Sequence, residues 1–335
     1  MVTRVTVIGG GAWGTALACV ARRGGNETTL WARDADVVEA INAGRGNPSY
    51  LDGVTLETGI TATADLAAAT RDSDIILMVV PAQFVRDIST AMAPNLQPST
   101  PVAICAKGVE QKSGALMTEV LAETMPGAAA AVLSGPTFAQ EVARDLPTAV
   151  TLAASDKATN ERLAAAIGVP HFRPYLSEDP IGAEIGGAVK NVMAIACGIV
   201  AGRQMGDNAR AALITRGLAE IVRLGVAKGA RAETLMGLSG LGDLTLTCNA
   251  MQSRNFSLGV ALGEGRTLAD ILKERRAVTE GVYSAGSVVA LSERIGVEMP
   301  ICQAVDRIVN GGDNMDRVIA ELLSRPFAHE YNRAD

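Results

Sequence analysis

Two lysines and an aspartate stand in segments where their side chains could take part in acid–base chemistry. Lys190 lies in the apolar run EIGGAVKNVMAIACGIVAG, Lys107 follows the run PVAICA, and Asp243 lies in the glycine-rich run LSGLGDLTLTC. Burial disfavours a charged amine, so an apolar helix around Lys190 would lower its pKa towards the neutral, proton-accepting form. Lys190 is therefore a candidate general acid or base. The alternative is a structural lysine that extends its ammonium group to water.

Lys107 and Asp243 also have a chemical and a structural interpretation. Ligands bind at the carboxyl ends of the strands in open α/β sheets, so Lys107 is placed to bind a substrate anion or carbonyl. The alternative is an ordinary lysine at a strand end. Asp243 can approach a ligand hydroxyl or Lys190, or it can cap the loop in which it stands.

A candidate anion site precedes the helix-like run FSLGVALG. Gln252, Ser253, Arg254 and Asn255 would bring a hydroxyl, a guanidinium, amides and helix N–H groups to one point. Such donors suit a phosphate. Ser253 can also be a simple helix N-cap.

Histidine and cysteine offer little for a metal site. The sequence contains only His171 and His329, and its five cysteines form no C-x-x-C pair. We therefore expect no metal ion, and free thiols in a reducing cytosol.

A glycine motif stands near the N-terminus. Gly9-Gly10-Gly11-Ala12-Trp13-Gly14 fits G-x-G-x-x-G, directly after the β-branched run RVTVI and before a helix-like segment. In this context Gly9 makes the tight turn, Gly11 lets the backbone approach a pyrophosphate, and Gly14 allows close packing of helix and strand. The motif predicts a dinucleotide site.

The choice of dinucleotide is read after the second predicted strand, TTLWA, which is followed by Arg33 and Asp34. An acidic side chain there binds ribose hydroxyls, and an arginine accepts an extra 2′-phosphate. Arg33 thus favours tolerance of NADP, by pairing with the phosphate or by lying on the adenine. Arg33 can also be a solvated surface residue, and Asp34 can cap the next helix.

The pattern of predicted strands and helices that position these groups changes along the chain. β-branched runs at 4–9, 28–32, 74–80, 101–106, 130–134 and 148–154 alternate with helix-like segments, which include 113–124 and 157–167. This rhythm predicts an α/β fold with a Rossmann-type doubly wound parallel sheet. After residue 180 the pattern is helical. We predict a dinucleotide-binding domain over residues 1–180 and an all-α substrate-binding and catalytic domain over residues 181–335.

Composition and charge exclude several classes of protein. The 335 residues are 48% hydrophobic and carry a net charge of −6, so no overall basic field attracts nucleic acid or an anionic membrane. The apolar stretch 188–201 is shorter than the ~20 residues that span a bilayer. The N-terminal run is broken by glycines, unlike a signal peptide. We expect a cytoplasmic protein with no membrane span and no nucleic-acid partner.

Seven segments closely resemble bacterial NAD(P)-dependent glycerol-3-phosphate dehydrogenases, in that family's order. They are GGGAWGTALA, AKGVE, LSGPTFAQEV, EIGGAVKNVMAIACGIVAG, GLSGLGDLTLTC, SRNFSLG and the VTEGV of residues 278–282. The match extends over both predicted domains. It implies reversible interconversion of dihydroxyacetone phosphate and sn-glycerol 3-phosphate with NADP or NAD, supply of the backbone for glycerophospholipid synthesis, and a homodimer.

The resemblance also implies roles for individual residues. Lys190 matches the proton acceptor. Positions that match substrate contacts are Lys107, Gly135, Thr137, Asp243, Ser253, Arg254 and Asn255. Besides Gly9, Gly11 and Gly14, positions that match cofactor contacts are Ala12, Trp13, Arg33, Lys107, Ala139, Arg254, Val278 and Glu280. Ala12 stands where the family often has serine, so a hydroxyl contact is lost there, whereas Thr137 keeps one. Both histidines match no catalytic position, so we interpret them as structural.

Two other functions stay open at this point. A 3-hydroxyacid or sugar-acid dehydrogenase shares the two-domain plan with a lysine. Those relatives typically have Lys and Asn one helical turn apart, whereas Lys190 and Asn191 adjoin here. The other alternative is a non-catalytic NADPH-sensing protein, against which the presence of Lys190, Asp243 and a phosphate pocket argues.

Overall fold

The structure is a computed structural model that describes residues 2–274 and 279–326. Within these residues, eight strands form one sheet in the order β3-β2-β1-β4-β5-β6-β7-β8. The strands are β1 (Arg4–Ile8), β2 (Glu27–Trp31), β3 (Ile60–Thr63), β4 (Ile75–Met78), β5 (Pro101–Ile104), β6 (Ala129–Ser134), β7 (Thr148–Ala153) and β8 (Phe172–Ser177).

Helices connect these strands and cover both faces of the sheet. They are α1 (Ala12–Arg23), α2 (Ala35–Asn42), α3 (Leu66–Thr70), α4 (Val85–Met92), α5 (Met117–Thr124), α6 (Ala139–Ala143) and α7 (Lys157–Ile167), with 3-10 turns at Ala82–Phe84 and Ala93–Asn95. Separate apolar clusters lie on the two sides of the sheet. Strands β4 and β5 are buried at every position, because helices exclude water from both faces.

The predicted doubly wound α/β fold is confirmed. The first six strands are parallel in the order 3-2-1-4-5-6 of dinucleotide-binding sheets, which has its switch point between β1 and β4. One pairing departs from the expected parallel sheet, since β7 runs antiparallel to β6 and β8 is parallel to β7. Strands β3 and β8 lack a continuous apolar run, and the sequence pattern did not reveal them.

The predicted helix over 113–124 is wrong at its start, because α5 begins at Met117. Gly114 has a φ of 68°, which a right-handed helix does not contain. The Ser113 hydroxyl accepts a hydrogen bond from the Ala115 N–H at 3.1 Å and so stabilises a turn instead. The residues before α5 form a loop that leads from Lys107.

The described chain is helical after β8. Its helices are α8 (Pro180–Gly202), α9 (Asp207–Ala227), α10 (Ala232–Leu235), α11 (Asp243–Asn249), α12 (Arg254–Gly263), α13 (Leu268–Lys273), α14 (Glu280–Arg294), α15 (Pro300–Val309) and α16 (Met315–Leu323), with a π-helical turn at Leu238–Gly242. The last strand ends at Ser177, and the division into domains at residue 180 stays a prediction.

Helix α8 is the central helix of this second half. Pro180 occupies its first turn, and the Asp179 carboxylate accepts from the N–H groups of Gly182 and Arg231. The helix is long and apolar enough to cross a bilayer, but 83% of its apolar window is buried inside the protein. It packs on α12 through glycines, since a Cβ on Gly198 would lie 2.2 Å from the Phe256 carbonyl oxygen.

We expect Gly198→Ala to lower the free energy of unfolding by about 1–3 kcal/mol, because the added methyl group forces α8 and α12 apart. The loss should appear although alanine is the better helix former. Gly127→Ala is the matched control, since no atom lies within 4 Å of its added Cβ. Urea unfolding followed by circular dichroism measures both, and equal midpoints would contradict the packing argument.

Candidate active site

The glycine motif forms an open cradle at the carboxyl end of β1. Gly9 has a φ of 130°, and a Cβ on Gly14 would lie 1.8 Å from the Gly9 carbonyl oxygen. Both positions therefore require glycine for local reasons. A Cβ on Gly11, by contrast, meets nothing within 4 Å. Gly11 is the N-cap of α1, whose first turn carries no acidic residue, so the helix N-terminus suits an anion.

Groups beside the cradle also fit a bound dinucleotide. The indole Nε1 of Trp13 is buried without a hydrogen-bond partner among the described residues. A buried donor of this kind costs free energy unless a ligand or water accepts from it. Ala12 begins α1 beside Trp13, and Asn47 steadies the loop by donating to the Gly10 carbonyl at 2.9 Å. Asn47 therefore helps to hold the loop of the cradle, and the sequence analysis did not identify it.

Arg33 and Asp34 follow β2 at the same edge of the sheet. Asp34 caps α2, because its carboxylate accepts from the Asp36 N–H at 3.1 Å. The capping interpretation of Asp34 is thus the one that the structure shows. Arg33 is exposed, which agrees both with contact to a cofactor phosphate or ring face and with a solvated surface residue.

Lys107, Asp243 and Lys190 form one cluster, in which Asp243 and Lys190 are buried and Lys107 is partly buried. The Lys190 Nζ lies 2.9 Å from the Asp243 Oδ1, and the Lys107 Nζ lies 2.5 Å from the Asp243 Oδ2. Lys107 follows β5 and also donates to the Gly135 carbonyl after β6 at 3.0 Å. Asp243 is 1% exposed and Lys190 is 8% exposed. One carboxylate therefore joins two ammonium groups at the sheet edge where the cradle lies.

The cluster sets the proton affinities of its members. Burial lowers the pKa of Lys190 to about 8, although the Asp243 charge opposes this shift and the Lys107 charge adds to it. Burial alone would raise the pKa of Asp243, but the charge of Lys107, and then that of Lys190, holds it below its usual value. Asp243 thus stays a carboxylate while Lys190 titrates near neutral pH.

Thr247 completes the surroundings of Lys190. The Lys190 Nζ donates to the Thr247 Oγ1 at 2.8 Å, and this hydroxyl lies 3.2 Å from the Asp243 Oδ1. The sequence analysis missed Thr247, although its position four residues after Asp243 places it on the same face of α11.

A chain of side-chain amides runs beside the lysines. The Asn191 Nδ2 donates to the Lys107 carbonyl at 3.3 Å, and the Asn255 Nδ2 donates to the Asn191 Oδ1 at 2.9 Å. The Asn255 Oδ1 accepts from the Gly281 N–H at 2.9 Å. Both polar atoms of the Asn255 side chain therefore have protein partners, which leaves one amide proton and the backbone N–H for a ligand.

The N-terminus of α12 carries the remaining candidate anion ligands. Ser253 is the N-cap, and its Oγ accepts from the Phe256 N–H at 3.2 Å, so the capping interpretation is observed. Arg254 as a whole residue is exposed, but burial around its guanidinium lowers the pKa of that group, against the opposing charge of Glu280. Glu280 begins α14, where burial raises the pKa of its carboxyl to about 7.

Three further predicted site residues, Gly135, Thr137 and Ala139, lie in the segment that follows β6. Gly135 has a φ of 148° after β6, and the Thr137 hydroxyl donates to its carbonyl at 3.3 Å. Ala139 begins α6. Val278 and His329 lie outside the described residues.

Histidine and cysteine form no metal site in the described part of the chain, although the Cys248 thiol lies near Lys190 and the Cys105 thiol lies near Lys107. His171 is exposed and pairs with Asp145 at 2.9 Å. All five cysteines are buried as free thiols. Among residues 2–274 and 279–326, no group of three His, Cys, Asp or Glu side chains is placed to hold a metal ion.

Comparisons with known proteins cover nearly the whole chain. The family models for the N-terminus and the C-terminus of NAD-dependent glycerol-3-phosphate dehydrogenase match residues 4–160 and 179–320. A glycerol-3-phosphate dehydrogenase (NAD(P)+) of Parvibaculum lavamentivorans is 58% identical over 327 residues, which are 98% of each chain. Its counterpart in Rhodospirillum rubrum is 58% identical over 330 residues, with 98% of this chain and 95% of the relative covered.

A solved structure agrees with this result. The crystal structure of a glycerol-3-phosphate dehydrogenase from Coxiella burnetii matches with a TM-score of 0.93 and 40% sequence identity. The match covers 97% of this chain and 99% of that one. The likeness therefore includes both halves of the fold and their arrangement.

The geometry of the cradle predicts how a substitution at Gly11 affects NADPH binding. We expect Gly11→Ala to weaken NADPH binding by about tenfold or more, because its methyl group occupies the space where the pyrophosphate approaches. The apo protein should lose no more than about 1 kcal/mol of stability, the cost of alanine at an N-cap. Titration of NADPH fluorescence, together with urea unfolding, measures both quantities.

Gly14→Ala is the comparison variant. Its Cβ clashes with the Gly9 carbonyl, so we expect it to destabilise the apo protein itself. If Gly11→Ala bound NADPH as tightly as the unaltered chain, the position assigned to the pyrophosphate would be wrong.

Proposed function

The chain belongs to the family of NAD-dependent glycerol-3-phosphate dehydrogenases, and from this premise we propose how its residues carry out the reaction. The protein is an oxidoreductase that interconverts dihydroxyacetone phosphate and sn-glycerol 3-phosphate with NADP or NAD. Of the three functions that the sequence left open, family membership selects this one. The observation that carries the proposed mechanism is the buried Lys190 amine, joined through Asp243 to Lys107 beside the cradle.

Lys190 is the proposed proton donor for reduction of the ketone. When bound, the nicotinamide cofactor supplies the hydride that attacks the carbonyl carbon. An N–H bond of the Lys190 ammonium breaks as the O–H bond of the product alcohol forms, which leaves a neutral amine. In the oxidative direction the neutral amine accepts the same proton. A pKa of about 8 makes both forms of Lys190 accessible near neutral pH.

Asp243 and Lys107 orient the reacting groups. Asp243 holds the amine of Lys190 through one carboxylate oxygen and that of Lys107 through the other. Lys107 is 16% exposed at its side chain, so its ammonium can reach a substrate oxygen while it stays paired with Asp243. A second positive charge near the carbonyl oxygen stabilises the negative charge that develops there during hydride transfer.

The phosphate of the substrate requires local positive charge in a protein of net charge −6. Support for a site at α12 comes from the positive charge of Arg254 and from the N–H groups at the start of this helix. Gly135 and Thr137 lie beside Lys107 at the end of β6 and contribute further polar groups. We assign substrate contacts to Ser253, Arg254 and Asn255 on this basis.

We propose that the cofactor binds at the cradle. We assign the pyrophosphate to Gly9, Gly11 and Gly14, with Ala12 and Trp13 beside it. Arg33 favours acceptance of the 2′-phosphate of NADP. Ala139, Lys107, Arg254 and Glu280 are assigned to the cofactor from the family resemblance, as is Val278.

The wider role rests on the family resemblance. We propose that the product feeds glycerophospholipid synthesis and that the protein acts in the cytoplasm as a homodimer. Five free thiols support a reducing compartment. Analytical ultracentrifugation tests the dimer, and a single monomeric species at micromolar concentration would contradict it.

We expect Lys190→Met to lower turnover by about 10²–10⁴-fold, the usual contribution of a positioned general acid. NADPH affinity should change little, because the amine acts on the triose. The assay follows NADPH absorbance with dihydroxyacetone phosphate, with hydroxypyruvate as the comparison substrate. Lys157→Met, at an exposed lysine on α7, is the control.

Two results would contradict different parts of this proposal. Normal turnover in Lys190→Met would remove the lysine from its role as proton donor. Failure of the unaltered protein to consume NADPH with dihydroxyacetone phosphate would contradict the function itself.

The two reaction directions should depend on pH with opposite signs. Reduction needs the Lys190 ammonium, so kcat/KM for dihydroxyacetone phosphate should fall as pH rises through about 8. Oxidation needs the neutral amine, so kcat/KM for sn-glycerol 3-phosphate should rise through the same region. Initial rates from pH 6 to pH 10, at saturating cofactor, measure both kcat/KM profiles. If both profiles rose, or both fell, through this region, a single titrating amine would be excluded.

A further inference from the structure

A buried carboxyl group lies outside the reaction site described above. Glu184, in the second turn of α8, is 3% exposed. Its Oε1 accepts from the Thr118 N–H at 2.9 Å, and its Oε2 accepts from the Thr118 Oγ1 at 2.6 Å. Burial raises the pKa of this carboxyl to about 7, although the Thr118 hydrogen bonds oppose the shift. Burial of a carboxyl is costly, so its partners at the start of α5 are needed to retain it.

The Thr118 end of this contact belongs to the segment that carries Lys107. Residues 107–119 run from the loop after β5 into the first turn of α5, and we name them the joint segment. Side chains of the sheet half hold its first part: the Gln83 amide donates to the Val109 carbonyl and accepts from the Gln111 N–H, each at 2.9 Å, while Arg86 pairs with Glu110 at 2.8 Å.

Three helices of the second half hold the same segment from the other side. Arg294 of α14 donates to the Ser113 and Gly114 carbonyls, each at 2.9 Å. Lys228, at the end of α9, pairs with Glu119 at 2.6 Å. These two contacts involve partly exposed ions. In the contact of Glu184 with Thr118, by contrast, the carboxyl group is buried.

The same face of α8 then touches Lys107. Gly187 lies one turn after Glu184, and a Cβ there would lie 3.3 Å from the Lys107 Cγ. One further turn along, the Asn191 Nδ2 donates to the Lys107 carbonyl. Lys190 adjoins Asn191 on this helix, so any slide or rotation of α8 along the joint segment changes the distance between the two lysines.

We propose that Glu184 is a positioning residue, whose contact with the start of α5 fixes α8 on the joint segment and so keeps Lys107, Asp243 and Lys190 together. The inference deepens the proposed function and rests on it. Glutamine can keep both contacts, by accepting from the Thr118 N–H and donating to the Thr118 hydroxyl. Alanine keeps neither.

The test compares Glu184→Ala and Glu184→Gln with a matched buried carboxyl elsewhere. Glu220 of α9 is 1% exposed and accepts from the N–H groups of Ile301 and Cys302 at the start of α15. Burial raises the pKa of this carboxyl to about 7 as well. Glu220→Ala therefore removes a similar buried helix-end contact without touching the joint segment.

In the full-length protein we expect Glu184→Ala to lower kcat by about tenfold or more, because small misplacements of catalytic groups have large effects on rate. The pKa of Lys190 in the kcat/KM profile should shift, since its distances to the Asp243 charge that raises it and to the Lys107 charge that lowers it both change. Glu184→Gln should restore both values to near those of the unaltered chain. Glu220→Ala should lose stability while it keeps kcat and the pH profile.

The outcomes separate the positioning role from mere stability. If folded Glu184→Ala kept the kcat and pH profile of the unaltered protein, or if Glu220→Ala changed both equally, the proposal would be overturned. Should Glu184→Ala not fold, Thr118→Val provides the test, since it removes only the hydroxyl partner. A reduced kcat in that variant with a shifted Lys190 pKa supports the role, and an unchanged kcat or an unchanged Lys190 pKa overturns it. Inactive unaltered protein would instead contradict the proposed function.

Discussion

A single buried carboxylate joins the two halves of this protein at its reaction site. Asp243 accepts from Lys107 at the edge of the sheet and from Lys190 on the central helix. Removal of this carboxylate would leave two ammonium groups buried close together, which is strongly unfavourable. With it, the cluster keeps one excess positive charge, the condition that an anionic triose requires.

Close backbone packing around Asp243 makes this arrangement possible. A Cβ on Gly186 would lie 2.4 Å from the Ser239 carbonyl oxygen, and one on Gly240 would lie 1.9 Å from that of Leu235. Glycines therefore bring the LSGLG segment directly against α8 before α11 begins at Asp243. The glycine-rich segment serves to place a carboxylate within hydrogen-bonding distance of a helix-borne amine.

Buried carboxyl groups recur at helix N-termini in the described chain. Glu184 meets the start of α5, and Glu220 meets the start of α15. Backbone N–H groups at a helix start have no partners within the helix, so each contact satisfies a buried donor and a buried acceptor at once. Asp243 differs in that lysine side chains take the place of the N–H groups. This difference turns a structural contact into one that can move a proton.

Local sequence determined the parts of this protein that depend on near neighbours. A turn with positive φ followed by a helix start requires glycines at set spacing, so the cradle of Gly9, Gly11 and Gly14 could be read directly. The lysine in an apolar helix could also be recognised, because it depends only on neighbouring residues in the sequence. The same holds for the change from alternating strands and helices to helices alone.

Tertiary structure decided what depends on distant residues. The reversal of β7 and the partners of Asn255 and Glu184 had no signature in the sequence. Glu184 and Thr118 are 66 residues apart, and Lys107 and Asp243 are 136 apart, so only the packing of whole elements brings their side chains together.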